Sequence, residues 1–287
     1  MGCGMTEQKI PLGYFIGHVC DVEHRYRASS GGIGTMLQKH LLSSGQYGTS
    51  ITFRFNAEKC MYEARLIHSA EEVNICGSIY QDIDIAGFIR EHIGEITNGI
   101  IVSCPPCQVS AIRNMLKKEE IPCFIISFCC SGQTTIEGTW KYYDLLGIKK
   151  EYIVNMQYRG NGWPSGIQIW LKDGTTIFRD NYTEPWNTIH ASRLYQPKRC
   201  FFCIFDTSYN SDISLADPWL TDYLSNDKIG STLFLVNTSQ GLEAISELSQ
   251  KGKIEITSSD YNSFYIAQRP NVEKRNRLLH QNICLQK

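Results

Sequence analysis

Twelve of the 287 residues are cysteines, and thiolates do three kinds of chemistry: they ligate metals, exchange disulfides and hold iron–sulfur clusters. Cys200-Phe201-Phe202-Cys203 is a C-x-x-C, Cys104-Pro105-Pro106-Cys107 repeats the spacing, and Cys129-Cys130 is an adjacent pair. Taken alone, C-x-x-C is half of a zinc site, a redox dithiol, two ligands of a cluster, or simply two buried apolar side chains. A thioredoxin-like dithiol belongs at a strand-to-helix turn, whereas Cys200 follows Gln196-Pro197-Lys198-Arg199 in an expected irregular loop. A closed site needs two more thiolates. Cys107 starts an expected helix, where backbone N–H groups and the macrodipole stabilise a thiolate. Cys129-Cys130 ends the next expected strand. Ligand sites of open parallel sheets lie beyond the carboxyl ends of the strands. Cys104/Cys107 and Cys129/Cys130 should therefore share one edge, with the Cys200 loop closing over it. Four thiolates fit a four-cysteine iron–sulfur cluster and a closed zinc site alike. Cys20, Cys60 and Cys123 lie in or beside strand-like apolar stretches and read as small hydrophobes. Cys3, Cys76 and Cys284 are scattered and need no function.

A second constellation points to a nucleotide. Arg27-Ala28-Ser29-Ser30-Gly31-Gly32-Ile33-Gly34-Thr35 leads into a helix, with Ser29 and Ser30 as N-cap candidates. Glycines let backbone approach closely, and free N–H groups at a helix start bind anions. The run lacks the Gly-Lys-Ser/Thr of a Walker A loop and the strict dinucleotide spacing. With its Ser-Ser cap it suggests the diphosphate of a cofactor; read blandly, it is a turn. Gly77-Ser78-Ile79-Tyr80 and Tyr158-Arg159-Gly160-Asn161-Gly162-Trp163-Pro164 are aromatic, glycine-containing turns. Together they offer the aromatic faces, backbone donors and cation that an isoalloxazine or another planar ring uses. The seven histidines are scattered without metal-ligand spacing. Only His190, in the irregular stretch before the C-x-x-C, is singled out for mutation.

The elements that must position these residues read as mixed α/β. Strands are expected at Tyr14–Val19, Thr49–Phe55, Met61–Ile67, Gly99–Ser103 and Pro122–Phe128, and helices at Gly31–Leu42, Gln108–Lys118 and Thr134–Leu146. Two successive strand–turn–helix units argue for a parallel core. After residue 150 an antiparallel meander is expected over Ile153–Tyr158, Gly166–Leu171 and Thr175–Phe178, with Lys172-Asp173-Gly174 as a hairpin turn. A long irregular stretch, Arg179–Asp212, follows, and loops of that size usually carry a site. Then come strands Ile213–Leu215 and Thr232–Val236, a helix Leu242–Leu248 and a charged tail from Arg269-Pro270. The expected organisation is one domain over 1–287. It comprises an α/β core at 13–150, antiparallel strands with the C-x-x-C loop at 151–220, and a C-terminal α/β extension with a helical tail at 221–287.

Composition narrows the class. Hydrophobic residues make up 42% and charged residues 20%, which suits a globular chain. Lys+Arg at 28 against Asp+Glu at 29 gives no basic patch for nucleic acid or an anionic membrane. No apolar run is long enough for a membrane span, and Met1–Gly13 has no signal-peptide pattern. A cytoplasmic setting is expected, where thiols stay reduced.

In order along the chain, Ser29-Ser30-Gly31-Gly32, Gly77-Ser78-Ile79-Tyr80, Pro106-Cys107-Gln108 with Ile112-Arg113, and Phe128–Gly132 around Cys130 form a known pattern. It continues with Tyr158-Arg159-Gly160 through Trp163-Pro164, Cys200-Phe201-Phe202-Cys203, and Asp212-Ile213-Ser214-Leu215-Ala216-Asp217-Pro218-Trp219. Over roughly residues 13–250 the chain resembles the beta-subunit family of coenzyme F-420 hydrogenase/dehydrogenase. The resemblance implies an iron–sulfur flavoprotein, with FAD near the Ser-Ser-Gly-Gly helix start and the Gly-Ser-x-Tyr turn. The corresponding cofactor contacts are Ser29, Ser30, Gly31, Gly32, Gly34, Thr35, Gly77, Ser78, Tyr80 and Tyr158. It also implies a [4Fe–4S] cluster on Cys107, Cys130, Cys200 and Cys203, selecting Cys107 over Cys104 and Cys130 over Cys129. Asp217 would lie close to the site. Two departures stand out: Ile79 replaces the lysine usual in Gly-Ser-Lys-Tyr, and a ferredoxin-like N-terminal segment is not expected.

The implied activity is an oxidoreductase in which FAD exchanges a hydride with an organic substrate and the cluster handles single electrons. Arg159, Asp217 and His190 are the candidate catalytic residues, Arg159 to balance negative charge on reduced flavin or an anionic substrate. Expected partners are an external electron carrier, either ferredoxin or reduced deazaflavin, and a small-molecule substrate. Family context suggests a sugar or nucleotide-sugar in surface-polysaccharide biosynthesis, with deazaflavin as the rival. Lys198 and Arg199 are candidates for docking an acidic carrier. No nucleic-acid partner is expected, and homo-oligomer formation stays open. The alternative class is a zinc-binding structural or interaction protein without redox activity.

Overall fold

The computed structural model describes residues 10–285, with side chains through residue 280; Cys3 and the Cys284 side chain lie outside the described residues. The chain begins with β1 (Gly13–Val19), α1 (Val22–Arg27), α2 (Ile33–Ser43), β2 (Thr49–Asn56), β3 (Met61–Ile67), α3 (Ile85–Glu91), β4 (Ile100–Ser103), α4 (Pro106–Lys118), β5 (Cys123–Phe128) and α5 (Ile136–Leu145). It continues with β6 (Ile153–Gln157), β7 (Gly166–Leu171), β8 (Thr176–Asp180), α6 (Trp186–Ala191), α7 (Lys198–Phe201), β9 (Ile213–Ala216) and α8 (Thr221–Asn226). β10 (Thr232–Val236), α9 (Ser239–Gln250), β11 (Ile254–Ser259) and α10 (Tyr261–Leu285) complete it.

Eight strands form one mixed sheet in the order β11-β1-β10-β9-β5-β4-β2-β3, and β6-β7-β8 form a separate antiparallel sheet. The centre of the large sheet, β9-β5-β4-β2, is parallel, and antiparallel pairs flank it on both sides. The two innermost of these strands, β4 and β5, are almost wholly apolar, as strands covered on both faces must be. On one face Ile33, Leu37 and Leu41 of α2 and Ala244, Ile245 and Leu248 of α9 pack on Ile101, Phe124, Ile126 and Phe234. On the other, Ile89 of α3 and Val109, Ile112 and Leu116 of α4 pack on Ile51, Ile100, Val102 and Ile125. Phe264, Ala267 and Val272 of α10 cover Ile16, Leu233 and Leu235. The small sheet buries Met156, Ile167 and Ile169 against Tyr142 and Tyr143 of α5 and Trp186 and Ile189 of α6. No described helix is long and apolar enough to cross a membrane.

Several expectations need correction. α2 is capped by Gly32, in the left-handed region, with no side-chain cap; Ser29 and Ser30 sit too far upstream and turn elsewhere. The short helices α1 and α3 lack the length for a clear helical period. The Arg179–Asp212 stretch contains α6 and α7, so Cys200 lies in a helical turn and not in an irregular loop. Cys20 is exposed and no core filler. The tail is α10, kinked at Gln268 beside Pro270, as a proline within a helix requires.

His24 of α1 is buried behind the glycine-rich turn, and its Nε2 has no partner. Burial, aided by the Lys39 and Arg27 charges and opposed by Asp21, lowers its pKa from 6.5 to about 4. The unfolded chain therefore takes up this proton before the folded one does. Stability is greatest above pH 6.5 and falls as pH drops toward 4, by at most about 1.4 kcal/mol per pH unit. Urea titrations between pH 7 and 4.5 should show a shallower slope in His24→Gln than in the unaltered protein. Identical slopes would contradict the assignment.

Candidate functional site

A cavity of about 790 Å³ opens at the carboxyl ends of the central strands, a size suited to a cofactor or drug-sized ligand. Its walls include Ser29, Ser30, Gly32, Gly34, Thr35, Gly77, Ser78, Tyr80, Arg159, His190 and Asp217. The expected cofactor and catalytic residues thus meet in one place, with two exceptions. Gly31 packs onto the sheet: a Cβ there would stand 2.4 Å from the Gly17 carbonyl oxygen. Tyr158 is 1% exposed within the aromatic layer, its hydroxyl 2.6 Å from Thr139 Oγ1. Both support the wall from behind.

The glycine-rich turn is held from outside itself. Ser30 Oγ lies 3.0 Å from Thr232 Oγ1, which also accepts from the Gly31 N–H at 2.8 Å, and Ser78 Oγ donates to Ser29 Oγ at 3.2 Å. Because no side chain caps α2, the first-turn N–H groups of Ile33, Gly34 and Thr35 are left for another acceptor. All three residues line the cavity. Gly77 has a φ of +67°, and a Cβ there would stand 2.2 Å from the Arg159 carbonyl oxygen, so only glycine brings that turn against the Arg159 loop.

Arg159 is buried and bidentate to Asp217, with Nη1 at 2.7 Å and Nη2 at 3.0 Å. Its Nε donates to Ser165 Oγ at 2.7 Å and Nη2 to the Ser29 carbonyl at 2.8 Å. Burial alone would lower its pKa, but the Asp217 carboxylate outweighs it and holds the guanidinium charged. The sequence alone suggested a free cation facing the ligand. Here the charge is committed to Asp217, and the pair adds no net positive charge to the cavity. Asp217 also accepts from Trp163 Nε1 at 3.3 Å, and its backbone carbonyl accepts from Gln268 Nε2 at 2.8 Å.

His190 stacks on Trp186 at 6.0 Å, meets Tyr80 edge-on at 4.9 Å and places Nδ1 3.3 Å from Thr134 Oγ1. Burial lowers its pKa below the ordinary value, so the ring is neutral at neutral pH. Asn181, Tyr182, Cys76 and Ile266–Asn271 also line the cavity. Sequence spacing did not single them out, because they arrive from the irregular stretch, the α10 kink and a cysteine, Cys76, read as needing no function. Only Pro270 inside a helical pattern signalled the last group.

Beside the cavity is a small crevice lined by Cys107, Cys130, Cys200 and Cys203, with Pro105, Gly132, Gln133, Arg199 and Lys274. Pro105, Cys130, Gly132 and Gln133 line both spaces. The near neighbours separate: Cys104 is buried in the core beneath α3 and α4, while Cys129 lines only the cavity. A hydrogen bond from Cys107 lowers the Cys203 thiol below its ordinary value, against its burial, with the Phe205 backbone and the Lys274 and Arg199 charges assisting. The same bond raises Cys107 as the proton-bearing partner. Burial pushes Cys130 up to about 11; the Gly132 backbone opposes this, and Cys200 and Cys203 add to it. Among the described residues, no three His, Cys, Asp or Glu side chains are grouped to hold a metal ion as they stand.

Residues 14–89 match the family model for the coenzyme F420 hydrogenase/dehydrogenase beta subunit N-terminus, and residues 97–261 match that for its C terminus. The fold is similar to a chain of the xenon-derivatised F420-reducing [NiFe] hydrogenase complex from Methanosarcina barkeri. That likeness has a TM-score of 0.71 at 15% identity and covers 94% of this chain and 92% of that one. No curated protein matches.

Asp217→Leu strands a buried guanidinium and should cost about 3 kcal/mol of unfolding free energy, whereas removing both charges is far milder. In urea titrations, Arg159→Met combined with Asp217→Leu should regain at least half the loss of Asp217→Leu alone. Strictly additive losses would show that the pair is not coupled.

Proposed function

Because the chain belongs to the coenzyme F420 hydrogenase/dehydrogenase beta-subunit family, whose members are oxidoreductases, we propose that it is an FAD-dependent iron–sulfur enzyme. It would move electrons between a [4Fe–4S] cluster and an organic substrate or deazaflavin coenzyme. The observation that carries the reading is the shared wall: four cysteines line one crevice, and Cys130 belongs also to the cavity.

The residues fit both groups. A cubane asks for four thiolates spread about its corners, and the crevice brings four cysteines from three separate segments to its lining. The uncapped start of α2 is suited to a diphosphate. The Gly77 turn, Tyr80 and Trp186 supply a close backbone and aromatic faces for a planar ring. When bound, FAD supplies two-electron hydride chemistry and the cluster one-electron transfer.

The chain's own residues then do four things. Cys107, Cys130, Cys200 and Cys203 would hold the cluster as thiolates. Ser29, Ser30 and the α2 N–H groups would hold the diphosphate. The Arg159–Asp217 pair is a positioning device: through the Ser29 carbonyl it fixes the turn at the helix start. His190 is neutral, its Nδ1 is engaged by Thr134, and its ring lines the cavity, so Nε2 would give or take the proton that accompanies hydride transfer. For the organic partner, deazaflavin follows from the family description. A sugar or nucleotide-sugar of surface-polysaccharide synthesis is the second substrate class, and anaerobic bleaching of the flavin by reduced deazaflavin separates the two.

Anaerobically purified protein should be brown, with about four iron atoms and one FAD per chain. Cys107→Ser and Cys200→Ser should each lose most of the iron and retain flavin. Unchanged iron in both variants, or a colourless protein carrying stoichiometric zinc, would refute the proposal.

A further inference from the structure

Several large apolar side chains in the segment that leads into and spans Cys200–Cys203 face solvent. Phe202 is 77% exposed, Leu194 82%, Phe201 44% and Phe205 41%. Clustered exposure of this kind marks an interaction surface. Its charge is one-sided. Residues 186–205 contain no Asp or Glu but include Arg193, Lys198 and Arg199. Three of the nearby carboxylates are committed: Asp82 pairs with Arg199, the buried Asp206 with Arg275 at 3.6 Å, and Glu273 with Arg269 at 2.7 Å. Lys274 Nζ meets the carbonyl oxygens of Ser131 and Cys200, each at 3.2 Å, and its charge faces the crevice cysteines, whereas Lys198 is exposed. The exposed cations Arg193 and Lys198 therefore stand beside exposed aromatic rings with no ion pair among the described residues.

We propose that this basic, aromatic collar around Cys200 and Cys203 is the docking surface for an acidic one-electron carrier protein. The inference rests on the iron–sulfur reading above. An aromatic centre with a charged rim is how a small specific interface divides its work: rings supply contact area and complementary charge sets the association rate. A second copy of this chain is the poorer occupant, because it would bring the same positive charge. In each encounter the carrier is oxidised by one electron and the centre behind the collar is reduced by one. Two encounters supply the electron pair that one hydride transfer consumes.

The test uses the anaerobically purified holoprotein and a reduced acidic bacterial ferredoxin in stopped flow, following absorbance bleaching. The second-order rate constant should fall about tenfold as salt is raised from 50 to 500 mM, since screening removes the steering. Lys198→Glu and Leu194→Asn should each slow reduction by ferredoxin about tenfold while leaving iron content and reduction by dithionite within about twofold of the unaltered protein. A protein without iron would overturn the reading beneath. A protein with iron, reduced by dithionite but indifferent to salt and to both substitutions, would overturn the docking surface alone. So would a dimer in sedimentation that Leu194→Asn dissociates, which would assign the collar to self-association.

Discussion

The buried ion pair between Arg159 and Asp217 is the joint on which the site depends. Arg159 follows β6, so the pair anchors the small sheet's loop to the carboxyl end of β9 in the large sheet. Through Nη2 it grips the Ser29 carbonyl of the glycine-rich turn, and through the Asp217 backbone carbonyl it receives Gln268 at the α10 kink. Trp163 Nε1 closes the same group. Four distant parts of the chain thus meet at one charge pair on the cavity wall. A buried pair is a weak source of net stability but a strong source of geometry, because every remaining lone pair and proton must find its partner.

The parallel centre of the sheet does the rest. β4 and β5 run side by side and release Cys104–Cys107 and Cys129–Gly132 at the same edge. The pleat and the start of α4 then sort these residues: Cys104 turns into the core, Cys129 toward the cavity and Cys107 into the crevice. Cys130 faces both spaces. α7 carries Cys200 to the opposite lip, where Arg199 ties it to Asp82 next to the Gly77–Gln81 wall. The cavity and the crevice share Pro105 from one segment and Cys130, Gly132 and Gln133 from another, the adjacency that the proposed conversion between two-electron and one-electron transfer would need.

Much of this was legible in the residues. Alternating and continuous apolar runs marked β2, β3, β4 and β5, and the glycines marked the α2 start, whereas the serines before them do not cap it. The antiparallel meander was read correctly down to its Lys172-Asp173-Gly174 turn, where Gly174 has a positive φ. What remained hidden was long-range. The charge on Arg159 looked free because its partner lies 58 residues away. Tyr158 looked like a ligand contact because neighbouring residues in a strand end point to opposite faces. α1, α3 and α7 are too short for periodicity to register. The contribution of α10 to the cavity depends on a kink, and a kink becomes a wall only once the helix has packed on β1 and β10.

The central claim is that cavity and crevice form one redox unit, and a reductive titration tests it most directly. Anaerobic protein titrated with dithionite should take up about three electrons per chain, one at the cluster and two at the flavin. Uptake of about two, with only flavin bleaching, would leave the crevice without a redox role. Uptake of none would remove the redox unit altogether.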